Sequence, residues 1–464
     1  MKKNVYIYII TGILTQGLIF LLWILLPIFH KPEILGEYNM LLFYVELVST
    51  FVVFGGDSVI LRYYYSDFKK TEVFGSVFWT FIFTFSIFVP ILILIYVFFN
   101  NILHLGNRII LILLILNIFF TSLVNLILIH YISIKKSNIY KNLQIFKTVI
   151  FFVSVLMFSY FSFGIIGFFI ANIIASLIII LFHLYENGYS YYQLPGSFVL
   201  NKTILYGAPL AIYSAMGVVT IYSSRLFINS NLSLELLGIF SFFNVIINQI
   251  NGLWSSFNKA WTPEVFTKIN DEGSTDFVFE SVYFVVFVYL FIMLIGVFFG
   301  KLFLFELIFQ VEYVKYINIF IILLFYPLIT SIYTILYPLF YFVNRTLLIM
   351  KISILIAFIS ILTTWILTNT FGLYGATFSL LISGLCNLFL YLIYFRKQIN
   401  LNIIVVKNFC VIFFVIGTSL YFLMQPNGYY IFIILTLANL LFVFIKGDIS
   451  RYFTNNLIKT IVND

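Results

Sequence analysis

About fourteen apolar stretches, each near the roughly 20 residues a helix needs to cross a bilayer, follow one another along this chain. They start near residues 6, 37, 74, 109, 145, 166, 204, 236, 277, 316, 350, 373, 408 and 428. In hydrocarbon every backbone polar group must be paired within the protein, and a run of separate apolar spans achieves this as helices. With 63% hydrophobic and 9% charged residues, the chain has too few charges for a soluble globule. The longest connecting segments, about 187–201 and 259–276, are too short to fold as domains. Function must therefore lie inside an all-α polytopic bundle.

Lys2 and Lys3 precede the first span without a small-residue cleavage site, which predicts a retained cytoplasmic amino terminus. Threading fourteen spans from there returns the carboxyl terminus to the cytoplasm. Of the 25 Lys and Arg, only Lys31, Arg108, Arg225, Lys301 and Lys315 then fall outside. That asymmetry fits a multi-pass protein of the cytoplasmic (inner) membrane, and it accounts for the net charge of +8 without nucleic acid. Cys386 and Cys410 fall within spans, so neither a disulfide framework nor a cysteine metal site is expected. His30, His104, His130 and His183 lack metal-ligand spacing. Gly296-Val297-Phe298-Phe299-Gly300-Lys301 is one residue short of a phosphate-binding loop. The expectation is a transporter with no cofactor, metal or catalytic residues, rather than an enzyme.

A duplicated architecture is written into the spans. Glu33-Ile34-Leu35-Gly36-Glu37-Tyr38 returns 202 residues later as Glu235-Leu236-Leu237-Gly238-Ile239-Phe240, each time at the entry to a span, where Glu33 and Glu235 read as helix-entry residues. A second echo pairs Gly164-Ile165-Ile166-Gly167 with Gly372-Leu373-Tyr374-Gly375 at an offset of 208. Six spans per copy is an even number, so both copies enter the membrane in the same direction. The expected relation is a pseudo-twofold along the membrane normal with a cleft between lobes. The lobes are assigned to residues 1–195 and 196–400, and residues 401–464 form two additional spans and a tail.

Polar side chains at bilayer depth are costly and mark cavities or interhelical bonds. Glu46, Ser49 and Asp57 recur at helical spacing, as do Asn244, Asn248, Asn251, Ser255 and Lys259, and the repeat offset sets Glu46 on Asn248, Ser49 on Asn251 and Asp57 on Lys259. With Gln16 and Arg225 these residues make up the expected substrate cavity; ordinary interhelical hydrogen bonding is the alternative. For Arg225 two readings stand, a side chain reaching the outer interface or a ligand for an anionic head group, whereas Lys147 and Lys351 are read as reaching the cytoplasmic face. Tyr326, Tyr333 and Tyr337 lie on one stripe with Thr330 and Tyr341. They are candidates for sugar contact, against the alternative of a packed seam. Pro209, Pro327 and Pro338 are candidate kinks.

The chain resembles polysaccharide biosynthesis flippases of the Wzx type, in the multidrug/oligosaccharidyl-lipid/polysaccharide exporter superfamily. The residues that carry this are Leu35-Gly36-Glu37-Tyr38, Phe54-Gly55-Gly56-Asp57 running into Arg62-Tyr63-Tyr64, and Tyr206-Gly207-Ala208-Pro209-Leu210. Glu235 to Phe240 and Phe257-Asn258-Lys259-Ala260-Trp261-Thr262-Pro263 add to it. The resemblance covers roughly residues 1–400 and implies a flippase that moves an undecaprenyl-pyrophosphate-linked oligosaccharide (O-antigen, capsule or a related unit of polysaccharide and lipopolysaccharide biosynthesis) to the outer leaflet by alternating access. It also implies contact with polysaccharide polymerase machinery. Glu46 is the expected site of H+ or Na+ coupling. The alternatives are a multidrug/cation antiporter of the same superfamily and, from a different class, a membrane-embedded glycan polymerase or ligase.

Overall fold

The computed structural model describes residues 2–64, 68–103, 108–268, 274–299, 311–342, 346–396 and 436–437. All regular structure among them is helical. The order is α1 Lys2–Phe29, α2 Pro32–Val53, α3 Gly56–Tyr63, α4 Lys70–Leu103, α5 Arg108–Ser133, α6 Ser137–Tyr160 and α7 Gly164–Asn187. After a 3-10 turn, Gly188–Tyr192, come α8 Ser197–Asn231, α9 Leu234–Lys268 and α10 Ser274–Phe299. The last are α11 Val311–Lys315, α12 Ile317–Leu323, α13 Phe325–Phe342 and α14 Thr346–Arg396, the last broken at Gly372. Among the described residues nine helices are long and apolar enough to cross a membrane, ten if α2 and α3 count as one bent span. The first twelve expected spans all fall on helix; those near 408 and 428 lie outside the described residues.

Local chemistry sets the boundaries. Pro32 occupies the first turn of α2, where its fixed φ suits helix entry and its missing N–H costs nothing, and Glu33 and Glu235 both stand in first turns, favourable for a carboxylate. The α2 helix stops because Phe54 and Gly55 are both left-handed (φ 54 and 68), and α3 leaves at 41°. Pro209 lies inside α8 without ending it.

The glycines that open the second echoed phrase share a backbone conformation. Gly164, opening α7, and Gly372, at the break in α14, have φ of 56 and 58, a region that costs a Cβ-bearing residue. Three residues on, Gly167 and Gly375 each press on the end of the preceding helical segment: a Cβ on Gly167 would meet Phe158, and one on Gly375 would meet the carbonyl of Leu367.

The chain packs as two units. Of the described residues, the first comprises those within 3–242 and 346–361, and the second those within 243–342 and 362–396 with 436–437. Helix α8, assigned from sequence to the second lobe, packs in the first unit against α2, α3 and α4. One backbone approach makes this possible, Gly55 against Gly207, while a second, Gly36 against Leu234 and Gly238, joins α2 to the start of α9. Buried polar pairs tie the unit elsewhere, including His30 Nε2 with Ser159 Oγ (2.9 Å), Ser76 with Thr203 (2.8 Å) and Ser223 with Ser360 (3.0 Å). In the second unit α10 packs on α13, and Phe243 meets the rings of Tyr313 and Phe320.

Candidate functional site

The polar face of α2 meets α8 in the first unit. Glu46 lies 14 residues past Pro32, roughly 21 Å along the helix, and is exposed. The Tyr222 phenol on α8 faces its carboxylate as hydrogen-bond donor. Tyr222 is held from below by the Phe43 ring (centroids 5.7 Å apart) and covered by the Arg225 guanidinium, 4.0 Å from its ring centre. The spacing of Tyr222 and Arg225 is one helical turn, which brings them onto one face.

Arg225 is 1% exposed. It does not reach an outer surface; its Nη1 donates to the carbonyl of Asn39 on α2 (3.4 Å). Its Nε, Asn39 Oδ1, Ser49 Oγ and Ser224 Oγ are buried with no hydrogen-bond partner among the described residues. A buried guanidinium with no ion pair among the described residues is costly, and here it lies in the α2–α8 seam beside Tyr222, the residue that faces Glu46. Asn39 Nδ2 itself is used locally, donating to Leu35 O.

The other predicted positions divide. Gln16 is half-buried on α1. Asp57 does not continue the Glu46 and Ser49 face: the left-handed residues 54 and 55 end α2, and Asp57 sits instead in the first turn of α3, accepting from the amides of residues 57 and 58. Lys147 is half-buried on α6, about 15 Å from its start, without an ion pair among the described residues.

In the second unit the amide stripe is zipped along α9. Asn248 Nδ2 donates to Asn244 Oδ1 (2.8 Å), and Asn251 Nδ2 donates to Asn248 Oδ1 (3.4 Å). Thr330 of α13 closes the line by donating to Asn251 Oδ1 (2.9 Å), and Trp254 donates to Thr334 Oγ1 (2.8 Å). Ser255 is exposed. Tyr326 is buried with its ring against Gly384, and Tyr333 stacks on Tyr391 (6.3 Å, 22°), so these two tyrosines fill a seam with α14. The side chains of Lys259 and Tyr337 lie outside the described residues.

Tyr222 and Asn39 were missed in the sequence. The one available signal was Tyr222 standing a turn before Arg225, hidden by 33 tyrosines in the chain.

No protein-family model matches the chain, and no curated protein matches it. Solved structures do. A MATE protein crystallised with MaD3S superposes with a TM-score of 0.60 at 14% identity, covering 86% of this chain and 96% of that one. The Vibrio cholerae MATE transporter VcmN gives 0.60 at 12% identity, over 85% and 96%. A MOP superfamily transporter from Pyrococcus furiosus gives 0.57 at 13%, over 86% and 95%. At such identity the likeness concerns architecture, and the chain therefore has the fold of the MATE transporters of the MOP superfamily.

Proposed function

We propose that this chain is an alternating-access transporter in which Glu46 couples substrate export to an H+ or Na+ gradient. The observation that carries the reading is the Glu46–Tyr222–Arg225 arrangement. A carboxylate at mid-helix depth is costly against lipid, so its exposure calls for a water-filled space beside α2. Binding or losing a cation there changes the charge balance of the α2–α8 seam, which holds Arg225 in place. In this reading the two lobes expected from the sequence echoes would be the moving bodies. The fold's solved members include a multidrug resistance MATE transporter, which favours an exporter of organic cations as the substrate reading.

A second reading is favoured by Lys147. A half-buried lysine with no ion pair among the described residues suits an anionic lipid-linked pyrophosphate better than an organic cation. The Pyrococcus furiosus structure is described as having a binding pocket of reverse polarity that suggests a different function; the fold accommodates both signs. The reading is then a flippase for an undecaprenyl-pyrophosphate-linked oligosaccharide in the inner membrane. Outward movement of its negative charge gains about 2.3 kcal/mol per charge per 100 mV.

Proteoliposomes carrying an imposed pH or Na+ gradient separate the two. Gradient-driven movement of a fluorescent organic cation, lost in Glu46→Gln, supports the antiporter. Accumulation of lipid-linked oligosaccharide on the cytoplasmic face of a deletion strain, restored by wild type but not by Lys147→Gln, supports the flippase. Neither result would end the coupled-transporter reading.

A further inference from the structure

Two histidines that the candidate site does not use come together at the lysine-rich end of the first unit. His130, in the last turn of α5, and His183, in the last two turns of α7, are fully buried with ring centroids 5.3 Å apart at 81°. Tyr64, which follows α3, places its hydroxyl 2.6 Å from His130 Nδ1. Tyr131 donates to Glu186 Oε2 (2.6 Å), since a carboxylate can only accept, and Lys136 donates to Glu186 Oε1 (2.8 Å). The Tyr131 oxygen is then free to receive Asn187 Nδ2 (3.0 Å) and stands 3.1 Å from His183 Nδ1.

Both Nε2 atoms are buried with no hydrogen-bond partner among the described residues. Aromatic rings enclose them: Phe74, Tyr191 and Tyr131 stand around His130, and Phe74, Tyr192 and Tyr131 around His183. This lining suits neutral imidazoles. A proton added to His130 at Nδ1 would reverse the Tyr64 bond and strand the phenol proton. A proton added to either ring would set a charge beside the other histidine within a lining of aromatic rings. The charged groups facing the pair are Lys70 from α4, Lys136 from the α5–α6 turn and Glu186 from α7. Two of the three are cations, and the single carboxylate already holds Lys136.

The cluster joins α3, α5, α7 and the segment that leads into α8. That segment is docked on α4 by Trp79 Nε1 donating to Tyr192 O (3.0 Å), by Phe78 against the Tyr192 ring (4.7 Å) and by Gly75 beneath Gln193 O.

We propose that His130 and His183 form a proton-operated catch: neutral, they clamp the ends of α3, α5 and α7 and the 188–196 segment together, and protonation releases them. Hydrogen–deuterium exchange of the full chain in nanodiscs at pH 7.5, 6.5 and 5.5, corrected for the intrinsic pH dependence, tests this without any transport assay. Peptides spanning 60–64 and 186–196 are expected to open at least tenfold more at pH 5.5 than at 7.5 in the wild type. The double variant His130→Gln/His183→Gln should lose that acid-dependent step. Where the double variant is not monodisperse, His183→Phe, which keeps a ring in the aromatic lining and leaves only His130 to take up a proton, should show a clearly smaller acid-dependent step than the wild type. No acid-dependent opening in the wild type, or its full retention in the folded variants, overturns the proposal.

Discussion

Gly36 and Gly238, the same position in the two copies of the repeated phrase, lie against each other's helix starts. A Cβ on Gly36 would come 2.9 Å from the Gly238 nitrogen and would strike the carbonyl of Leu234, and one on Gly238 would strike the carbonyl of Pro32. The contact is reciprocal: each glycine meets the residue four before the other. This explains why the phrase contains glycine twice, since only a missing side chain lets α2 and α9 approach at their starts.

Because backbone atoms cannot yield as a side chain can, Gly36→Ala and Gly238→Ala should each destabilise the protein, by about 1–3 kcal/mol or more as overpacking does, with Gly238→Ala the worse. Gly17→Ala is the control, because a Cβ there meets nothing within 4 Å and alanine favours the α1 helix by about 0.5–1 kcal/mol. Thermal unfolding in detergent, read by loss of the monodisperse peak, should rank the three as Gly238→Ala, Gly36→Ala and then Gly17→Ala from least to most stable.

Glu46→Gln should abolish gradient-driven transport while leaving thermal stability close to wild type, because the exposed carboxylate is not part of the packed core. Tyr222→Phe keeps the ring against Phe43 and Arg225 and removes only the hydroxyl that faces Glu46. The loss of one hydrogen bond to a charged group, about 1.5–3 kcal/mol, should slow transport roughly tenfold or more. Rates in proteoliposomes under an imposed gradient check both, and a Tyr222→Phe variant as fast as wild type would detach the tyrosine from coupling.

Arg225 gives a prediction of opposite sign for stability and activity. Its guanidinium is buried with no ion-paired carboxylate among the described residues, so an apolar side chain of similar length should fit at no cost or with a gain. Arg225→Met is expected to melt at or above the wild-type temperature, Arg225→Ala below it because of the space left, and both should transport poorly. A strongly destabilised Arg225→Met would mean that the charge holds α2 and α8 together.

The first twelve spans and their order were legible because apolar length marks the helices, and Gly36, Gly238, Gly164 and Gly372 stand where backbones meet or φ is positive. The site was legible only in part. Glu46 stood out as a carboxylate in an apolar span, but its partner Tyr222 is 176 positions away and looks like any other tyrosine. Asp57 was placed on the Glu46 face by counting helical turns, and two left-handed residues interrupt that count. His130 and His183 are 53 positions apart on different helices, so spacing along the chain carries no sign that their rings meet.

The amide line on α9 decides between a structural seam and a substrate wall. Asn251 donates a hydrogen bond to Asn248 and accepts one from Thr330, and both bonds are internal. Such bonds in membrane proteins are worth about 0.6 kcal/mol on average. A double-mutant cycle with Asn251→Ala and Thr330→Val should return a coupling of that size in unfolding measurements. Asn251→Ala should reduce transport no more than its effect on stability accounts for. A loss of transport tenfold or greater in a variant of near wild-type stability would mean that Asn251 exchanges its internal partners for substrate during the cycle.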